Sequence, residues 1–275
     1  IGITRFGEHG NTINGAFPIP IITQDLEHKY DASNPGASPS STWDDLVGSK
    51  NGSYAAATGV TYVATAPSYF NFAGTSDNKI DFALPLPTFM SGTGTKSFTL
   101  QFWVNMRNIT TQQTILHIGD TSTAGAALEV LIRSTGDLRF QFGSTGARNT
   151  TFNPTINTWH QITVTKDGST VGDYDMYLDN TNIGTLPILT QSTNLPTNDT
   201  HAFGTAESGR ASMYIGEYLI YDRVLSSAEV TNNYNALKDR FGVSVSGLGG
   251  SSEAESSSSS WDDSGTWDDS GSWSE

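Results

Sequence analysis

The amino-acid sequence predicts an all-β protein, a sandwich of two antiparallel sheets with one short helix near its C-terminal end and extended arms. Short runs rich in β-branched and aromatic residues recur along the chain, and glycine or Asx turns separate most of them. Only 15% of the residues are charged, whereas long surface helices require more Glu, Lys and Arg. With 275 residues, of which 36% are apolar, the chain can bury one sizeable core and is short for two. We therefore expect one domain with appendages.

The first predicted element is an extended arm over residues 1–25, where Gly, Asn and Pro disfavour a packed strand. The sandwich is predicted to occupy residues 26–245. In its clearest strand, Phe98, Leu100 and Phe102 share one face and Trp103 lies on the other, so we expect cover on both faces. The predicted strands are residues 69–72, 79–82, 97–104, 113–118, 127–132, 138–142, 160–166, 174–178 and 212–221.

Turn and cap residues define a hairpin and a helix within this domain. Residues 128–133 and 138–142 are joined by a turn that contains Gly136, which predicts a hairpin with a positive φ at that glycine. Ser226 and Glu229 form a capping-box pattern, which predicts the start of a helix. The apolar stripe of this helix consists of Val230, Tyr234, Leu237 and Phe241, and the helix is predicted to end near Gly242.

Residues 246–275 form the last predicted segment, a serine-rich linker followed by WDDSG repeats with a six-residue step. The even step puts Trp261, Trp267 and Trp273 on one face if the segment is extended. Each indole has a large apolar face that a partner can cover. We expect this tail and the N-terminal arm to contact neighbouring virion or assembly subunits, in a homo-oligomer or a symmetric assembly. The alternative is a solvated, disordered tail.

The composition excludes several classes of partner. A formal net charge of −14 repels phosphate backbones and anionic lipid head groups, so we expect neither nucleic acid nor a membrane as a partner. The absence of cysteine removes disulfides, thiolate metal sites and cysteine nucleophiles. No run approaches the ~20 apolar residues that span a bilayer, and the first residues lack the pattern of a signal peptide.

Several segments, taken in order, resemble a known family. They are HKYDASNP at 28–35, WDDLVGSKNG at 43–52, YFNFAG at 69–74, SFTLQFWV at 97–104, TWHQITV at 158–164 and IGEYLIYDRVLSSAE at 215–229. Together they resemble the laminin-G-like domain of the concanavalin-A-like lectin/glucanase superfamily, in the variant common in tailed-phage (cyanophage-like) structural proteins. The resemblance covers residues 26–243 and implies a jelly-roll sandwich. It implies no activity by itself, because this fold hosts lectins, glucanases and structural parts.

A glucanase of the family that this chain resembles is expected to carry paired glutamates in an E-x-D-x-x-E order on one strand. The acidic residues of this sequence do not form that pattern. The scattered acids are Glu129, Glu207, Glu217 and Glu229, and the one acidic cluster is Asp173, Asp175 and Asp179. No serine lies in a G-x-S-x-G nucleophile elbow either. We therefore assign no catalytic residue and expect a protein without enzymatic activity.

The sequence also contains no recognisable cofactor or transition-metal motif. Its isolated histidines are His9, His28, His117, His160 and His201. We assign no cofactor-binding and no metal-ligating residue. Calcium is kept as a candidate, because some laminin-G domains hold it at the sandwich rim and Asp120 stands where such an acid would lie. Asp77 and Asp199 are weaker candidates, and the alternative for Asp120 is a turn residue.

The aromatic residues have a structural and a functional interpretation. Trp43, Trp103 and Trp159 fall at family positions that fill the core. A sugar-stacking platform needs an exposed aromatic ring, and the candidates for it are Tyr54, Tyr62 and Tyr69, with core packing as the alternative.

The leading hypothesis from the sequence is a virion structural protein, a capsid decoration or a tail or fibre component, whose lectin-like sandwich contacts host-surface glycans. The alternative is a secreted or cell-surface bacterial carbohydrate-binding adhesin module. The expected location is the virion for the first and the cell exterior for the second.

Overall fold

The structure is a computed structural model, and it describes residues 19–55, 59–75, 78–90, 92–93, 96–120, 126–142, 146–150, 153–168, 174–186, 194–196, 199–204 and 210–243. Residues 1–18 of the predicted arm lie outside these ranges. The whole predicted tail, with Trp261, Trp267 and Trp273, also lies outside them. The domain boundaries therefore stay predictions.

The described chain contains eighteen strands followed by one helix. The strands are β1 (Leu26–Asp31), β2 (Thr42–Trp43), β3 (Gly52–Ser53), β4 (Val60–Val63), β5 (Tyr69–Ala73), β6 (Ile80–Phe82), β7 (Gly92–Thr93), β8 (Phe98–Met106), β9 (Gln113–Gly119), β10 (Ala127–Ile132), β11 (Leu138–Phe142), β12 (Gly146–Asn149), β13 (Trp159–Lys166), β14 (Tyr174–Leu178), β15 (Thr181–Leu186), β16 (Asn194–Leu195), β17 (His201–Phe203) and β18 (Ser212–Tyr221). The helix is α1 (Ser227–Leu237). Within the described ranges, no helix is long and apolar enough to cross a membrane.

Two large antiparallel sheets form the domain. The first has the order β15-β14-β13-β8-β18-β5-β4, with β1 also paired to β18, and the second has the order β12-β11-β10-β9-β17-β6-β3-β2. A short pair, β16 and β7, lies outside both sheets. Hairpin neighbours such as β13 and β14 alternate in each sheet with pairs that are distant in sequence, such as β8 with β18 and β9 with β17, as in a jelly roll. The predicted class, an all-β sandwich of two antiparallel sheets with one helix, is confirmed.

The central strand β8 is buried along its whole length, as the alternation in its sequence predicts. Phe98, Leu100 and Phe102 lie in the core between the sheets. Trp103 lies on the opposite face, where its ring stacks on Tyr234 of α1 and on Phe241, with centroid distances of 5.6 and 4.6 Å. The helix and the residues after it therefore provide the second cover that the position of Trp103 predicts.

The predicted hairpin and helix cap are also present. Strands β10 and β11 pair with Ile132 opposite Leu138, and Gly136 in the turn has a φ of 88°. The Ser226 hydroxyl accepts from the backbone N–H of Glu229, and the Glu229 carboxylate accepts from the backbone N–H of Ser226. The helix is shorter than predicted, because the chain turns after Leu237 before Phe241 packs on the sheet.

Residues 19–25, the described part of the predicted arm, lie against α1. The backbone N–H of Ile22 donates to Asn233 Oδ1 at 2.7 Å, and Asn232 Nδ2 donates to the carbonyl oxygen of Pro20 at 2.8 Å. Ile21 and Ile22 also pack on the apolar residues beside the helix. This part of the arm is therefore attached to its own sandwich.

A buried polar network lies beneath the helix. Asn233 Nδ2 donates to Gln101 Oε1 and to the Tyr221 hydroxyl, each at 2.9 Å. Gln101 Nε2 in turn donates to Gln161 Oε1 at 3.0 Å and to Thr163 Oγ1 at 2.9 Å. Because most of these groups bond one another, polar residues are tolerated between α1 and the sheet.

Candidate functional site

A cleft of about 430 Å³ opens at one end of the sandwich. Its lining residues, named here the polar cleft, are Ala73, Gly74, Asn108, Thr111, Gln112, Gln113, Arg210 and Ser212. They come from the end of β5, the connection between β8 and β9, and the start of β18. Binding residues are commonly found on loops held by a rigid scaffold, and the volume lies within the range typical of small-ligand sites.

Gln113 is a buried side chain that fixes the base of the polar cleft. Its Nε2 atom donates to the carbonyl oxygen of Asn108 at 2.5 Å, and its Oε1 atom accepts from the backbone N–H of Ser212 at 2.7 Å. The backbone N–H of Arg107 also donates to the carbonyl oxygen of Ser212 at 2.9 Å. These bonds join the β8–β9 connection to β18, so the two sides of the cleft keep a fixed separation.

The wall of the polar cleft presents polar groups and a glycine. Asn108 Oδ1 accepts from the backbone N–H and the hydroxyl of Thr110, both at 2.8 Å, in an Asx turn. The turn uses Oδ1, and the Nδ2 donors are the part of this side chain that a ligand can accept from. Gly74 has a φ of 72°, and a Cβ atom there would approach the Ser212 Cβ to 3.3 Å. A larger residue at position 74 would therefore narrow the cleft.

One arginine lines the polar cleft, and a second precedes a lining residue, Asn108, in the chain. Arg210 lines the cleft directly and is exposed. Arg107 donates from Nε to Asn157 Oδ1 at 2.8 Å, and its guanidinium lies over the Tyr214 ring, 4.5 Å from the centroid. Tyr214 is two residues after Ser212 and on the same face of β18, roughly 7 Å along the strand. A fixed guanidinium thus lies beside the cleft.

A second depression, of about 290 Å³, lies at the edge of the sandwich. Its lining residues, named here the aromatic groove, are Pro39, Ser40, Tyr54, Val60, Thr61 and Tyr62. The rings of Tyr54 and Tyr62 each lie 5.3 Å from that of Phe70, and both hydroxyls donate to backbone carbonyl oxygens. Of the three candidate stacking tyrosines, two therefore meet here. Tyr69 lies elsewhere and stacks on Tyr214 with a centroid distance of 4.2 Å.

The tryptophans lie where the core interpretation predicts. Trp43 and Trp103 are fully buried, and Trp159 is nearly so. Trp159 packs on Phe241, with a centroid distance of 4.8 Å. The structural role predicted for these three indoles is confirmed.

The three described members of the scattered glutamates, Glu129, Glu217 and Glu229, have separate partners. Glu229 accepts from the Arg223 guanidinium at 2.7 and 2.9 Å, and this bond is the main reason that its pKa falls to about 2. Glu129 lies beside His117 on the face of β10 turned away from the main core, with 3.4 Å between Oε1 and Nδ1. Glu217 belongs to an ionic cluster with Arg240. Of the other predicted acids, Asp175 is described, and Glu207 and Asp173 lie outside the described residues.

The ionic cluster around Glu217 ties β1 and β18 to the segment after α1. Arg240 Nη1 lies 3.1 Å from Glu217 Oε2, and Arg240 Nη2 lies 2.7 Å from Asp31 Oδ1. Lys29 Nζ is 3.6 Å from Glu217 Oε1. Burial raises the pKa of Glu217 to about 7, and Asp31 adds to the rise against Lys29 and Arg240. The two carboxylates of the cluster are buried and paired within the domain, so we assign the cluster a structural role.

The described histidines occupy separate places, and His9 lies outside the described residues. His28 pairs with Asp45 at 2.6 Å, His160 pairs with Asp179 at 3.0 Å, His117 Nε2 lies 2.7 Å from the Gly119 carbonyl oxygen, and His201 lies 3.0 Å from the Tyr218 hydroxyl. Burial lowers the pKa of His201 to about 3, so this core histidine is neutral at physiological pH.

The two described calcium candidates, Asp120 and Asp199, lie next to each other's strand ends, because β9 and β17 are paired and the backbone N–H of Gly119 donates to the carbonyl oxygen of Thr200 at 2.7 Å. Asp120 follows β9, and its backbone N–H donates to the carbonyl oxygen of Ala126 at 2.9 Å. Asp199 accepts from the backbone N–H of Thr200, and Asp77 lies outside the described residues. Across the described ranges, no group of three or more His, Cys, Asp or Glu side chains is placed to hold a metal ion.

The sandwich is also recognised by comparison with known proteins. A family profile described as the concanavalin A-like lectin/glucanases superfamily matches residues 74–231, which is more than half of the 275-residue chain. The chain belongs to this superfamily. The finer resemblance, to the tailed-phage variant, stays a prediction. No curated protein sequence matches the chain.

Solved structures share the fold at low sequence identity. Trypanosoma rangeli sialidase is 16% identical with a TM-score of 0.62, and the match covers 80% of this chain and 34% of the sialidase. The binding domain of botulinum neurotoxin serotype D is 14% identical with a TM-score of 0.59, with 76% and 50% covered. Botulinum neurotoxin type C, whose cell entry depends on interaction with two ganglioside molecules, is 17% identical with a TM-score of 0.59, with 78% and 51% covered. The chain thus spans about one third to one half of these proteins.

One expectation from the sequence is wrong. We expected a protein without enzymatic activity, because the paired glutamates of glucanases are missing. The comparison with the sialidase contradicts this expectation, because a chain with the same sandwich is an enzyme. The match covers only about a third of that chain, so the sialidase activity is a property of that protein.

The polar cleft was not predicted from the sequence, although a signal for it is present. Residues 108–113 read Asn-Ile-Thr-Thr-Gln-Gln, and five of these six side chains can hydrogen-bond. The run connects two predicted strands, so it must lie at an end of the sandwich. Its meeting with Arg210, about a hundred residues later, depends on β9 and β18 beginning side by side, which the sequence does not reveal.

Proposed function

We propose that this protein is a carbohydrate-binding module that binds a glycan in the polar cleft. The observation that carries the proposal is a cleft at one end of a lectin-like sandwich with amide, hydroxyl and guanidinium groups around a fixed buried amide.

The chemistry of the polar cleft suits a sugar. Each sugar hydroxyl both donates and accepts, and the cleft offers amide N–H donors at Asn108 and hydroxyl groups at Thr111 and Ser212 that can do either. Because Gln113 is bonded on both sides, little ordering is required when a ligand binds, which favours affinity. A volume of about 430 Å³ accommodates one or two sugar rings.

The superfamily and one structural neighbour support the proposal. The superfamily description names lectins, and the type C neurotoxin interacts with gangliosides, which are glycolipids. Both likenesses concern the fold, so the position of the site in this chain rests on its own residues.

Glycan-array binding of the wild-type chain and of an Asn108→Ala/Gln112→Ala variant tests the proposal. We expect the wild type to bind a subset of glycans and the double variant to lose that binding, because two hydrogen-bonding side chains are removed from the wall. Asn34→Ala is the matched control, since Asn34 is an exposed asparagine outside both depressions. Binding that is equal in all three proteins would place the glycan elsewhere and refute the proposal for this cleft.

The proposed setting of the module is a virion, as a capsid decoration or a tail or fibre component. The phage-like order of the sequence motifs and the cysteine-free composition support this setting. The alternative is a secreted or cell-surface bacterial adhesin. Quantitative mass spectrometry of purified particles separates the two: a virion component is present in a fixed copy number per particle, whereas an adhesin is recovered from cells or medium.

A further inference from the structure

The arginines near the polar cleft differ in their ionic partners from three other described arginines. Arg133, Arg223 and Arg240 each pair with a carboxylate, at 3.2, 2.7 and 2.7 Å. Arg107 and Arg210, like Arg139, have no carboxylate partner among the described residues, and Arg210 is the one of these three that lines the cleft. This difference occurs in a chain with 28 acidic and 14 basic side chains, where an arginine has many possible partners.

Arg210 has the geometry to bind a carboxylate. A guanidinium presents five N–H donors in a planar fork, and two of them match the two oxygens of a carboxylate. Arg210 lines the cleft, so its fork is available to a ligand that also reaches Asn108 and Gln112. A neutral sugar uses only the hydrogen-bonding part of such a residue, and an acidic sugar uses the charge as well.

Arg107 strengthens the positive potential at the same place. Its guanidinium is held between the Tyr214 ring and the Asn157 side chain, so it keeps its position without a bound ligand. Its backbone N–H is bonded to Ser212, a lining residue of the cleft. Two cations near one cleft attract an anion more strongly than either alone, and the net negative charge of the chain makes such a local site distinctive.

We propose that the polar cleft selects acidic saccharides, with Arg210 binding the carboxylate of the sugar and the Asn108 and Gln112 side chains binding its hydroxyls. The inference rests on the proposed glycan-binding function and adds the class of glycan.

Isothermal titration calorimetry with matched sugar pairs tests the selectivity. The pairs are 3′-sialyllactose and tri-galacturonate, each with its own methyl ester, because esterification removes the charge of the carboxyl group and keeps the rest of the sugar. We expect the acidic member to bind roughly 10- to 100-fold more tightly, as for a charge-assisted hydrogen bond, and the preference to shrink as salt is added. In Arg210→Gln we expect both members to bind more weakly and the ratio of their two affinities to fall to about one, because the charge that distinguishes them has lost its partner.

Two further variants separate the site from a general charge effect. Lys96→Gln removes one positive charge near the start of β8, roughly 30 Å from the cleft by the strand rise over its nine residues, and we expect it to keep the preference. Arg210→Lys keeps the charge but loses the fork, and we expect an intermediate preference. Since Arg210 is exposed, each variant should melt at the wild-type temperature.

The outcomes distinguish this inference from the function on which it rests. Equal affinity for acidic and neutral members, or equal losses in Arg210→Gln and Lys96→Gln, overturns the acidic selectivity and leaves glycan binding standing. An absence of binding to every sugar on the array and in the titrations overturns both.

Discussion

Substitution of Asn233 by alanine tests how the helix and the N-terminal segment are joined to the sandwich. The Asn233 side chain is fully buried and makes three hydrogen bonds, to Gln101, to Tyr221 and to the backbone N–H of Ile22. Alanine removes all three and leaves the Gln101 carbonyl oxygen without this donor in a place that water does not reach. The Ile22 N–H is only partly buried and can recruit water.

The magnitude follows from these contacts. A buried polar group that loses its partner costs about 1 to 3 kcal/mol, so the Gln101 oxygen, the Tyr221 hydroxyl and the Ile22 N–H together predict a loss of about 2 to 5 kcal/mol. The neighbouring Asn232→Ala is a matched control, because it changes the same residue type on the same helix and removes one exposed bond, to Pro20. We expect its loss to stay below about 1 kcal/mol.

Urea unfolding followed by tryptophan fluorescence measures both variants. The expected difference between them is at least about 2 kcal/mol in the free energy of unfolding, in a domain where each kcal/mol shifts the melting temperature by roughly 2 to 4 °C. Equal losses in the two variants would show that the buried network does not stabilise this junction, and the reasoning from hydrogen-bond burial would be refuted.

Three other perturbations have outcomes that follow from the structure. Because the folded-state pKa of Glu217 is raised from 4.5 to about 7, the stability of the wild type relative to Glu217→Gln should fall as the pH rises from about 4.5 to about 7 and stay level above pH 7. A stability difference that does not change with pH in urea unfolding would contradict the raised pKa of this buried carboxyl. Gln113→Ala should lower the free energy of unfolding by about 2 to 4 kcal/mol and abolish glycan binding, because it removes the two hydrogen bonds that join the sides of the cleft. Glycan binding that is retained in calorimetry would contradict a cleft held by this amide. Gly119→Ala should lower the free energy of unfolding by at least about 2 kcal/mol, since φ is 93° and a Cβ would lie 2.0 Å from the Ala126 carbonyl oxygen. Gly242→Ala, with open space around its position, should lower it by about 1 kcal/mol. A lower melting temperature for Gly242→Ala than for Gly119→Ala would contradict the close contact at Gly119.

The sequence predicts the long central strands well because their alternation is strong. The apolar residues of β8 repeat at period two, and the observed strand extends the prediction by two residues at its end. The short strands β2, β3 and β16, of two residues each, carry no periodic signal, and they exist only because longer neighbours position them. The capping box predicts the start of α1 correctly, because its two hydrogen bonds are local.

The candidate site is less accessible to sequence reasoning. The sequence marks Tyr54 and Tyr62 as candidate stacking residues only by their residue type. The structure brings them together on Phe70, Tyr54 from the residue after β3 and Tyr62 from β4. The residues of the polar cleft come from three distant segments, which only the register of β18 beside β5 and β8 unites. Exposed polar residues have no periodicity, so their convergence is a property of the topology.

The most direct test of glycan binding in the polar cleft is a two-dimensional NMR titration of the isotope-labelled chain with 3′-sialyllactose. We expect the signals of the Gln113 side-chain amide, the backbone N–H of Ser212 and the residues around Arg210 to shift. The signals of Tyr54 and Tyr62 should keep their positions. Shifts that concentrate at the aromatic groove, with the cleft signals unchanged, would contradict it.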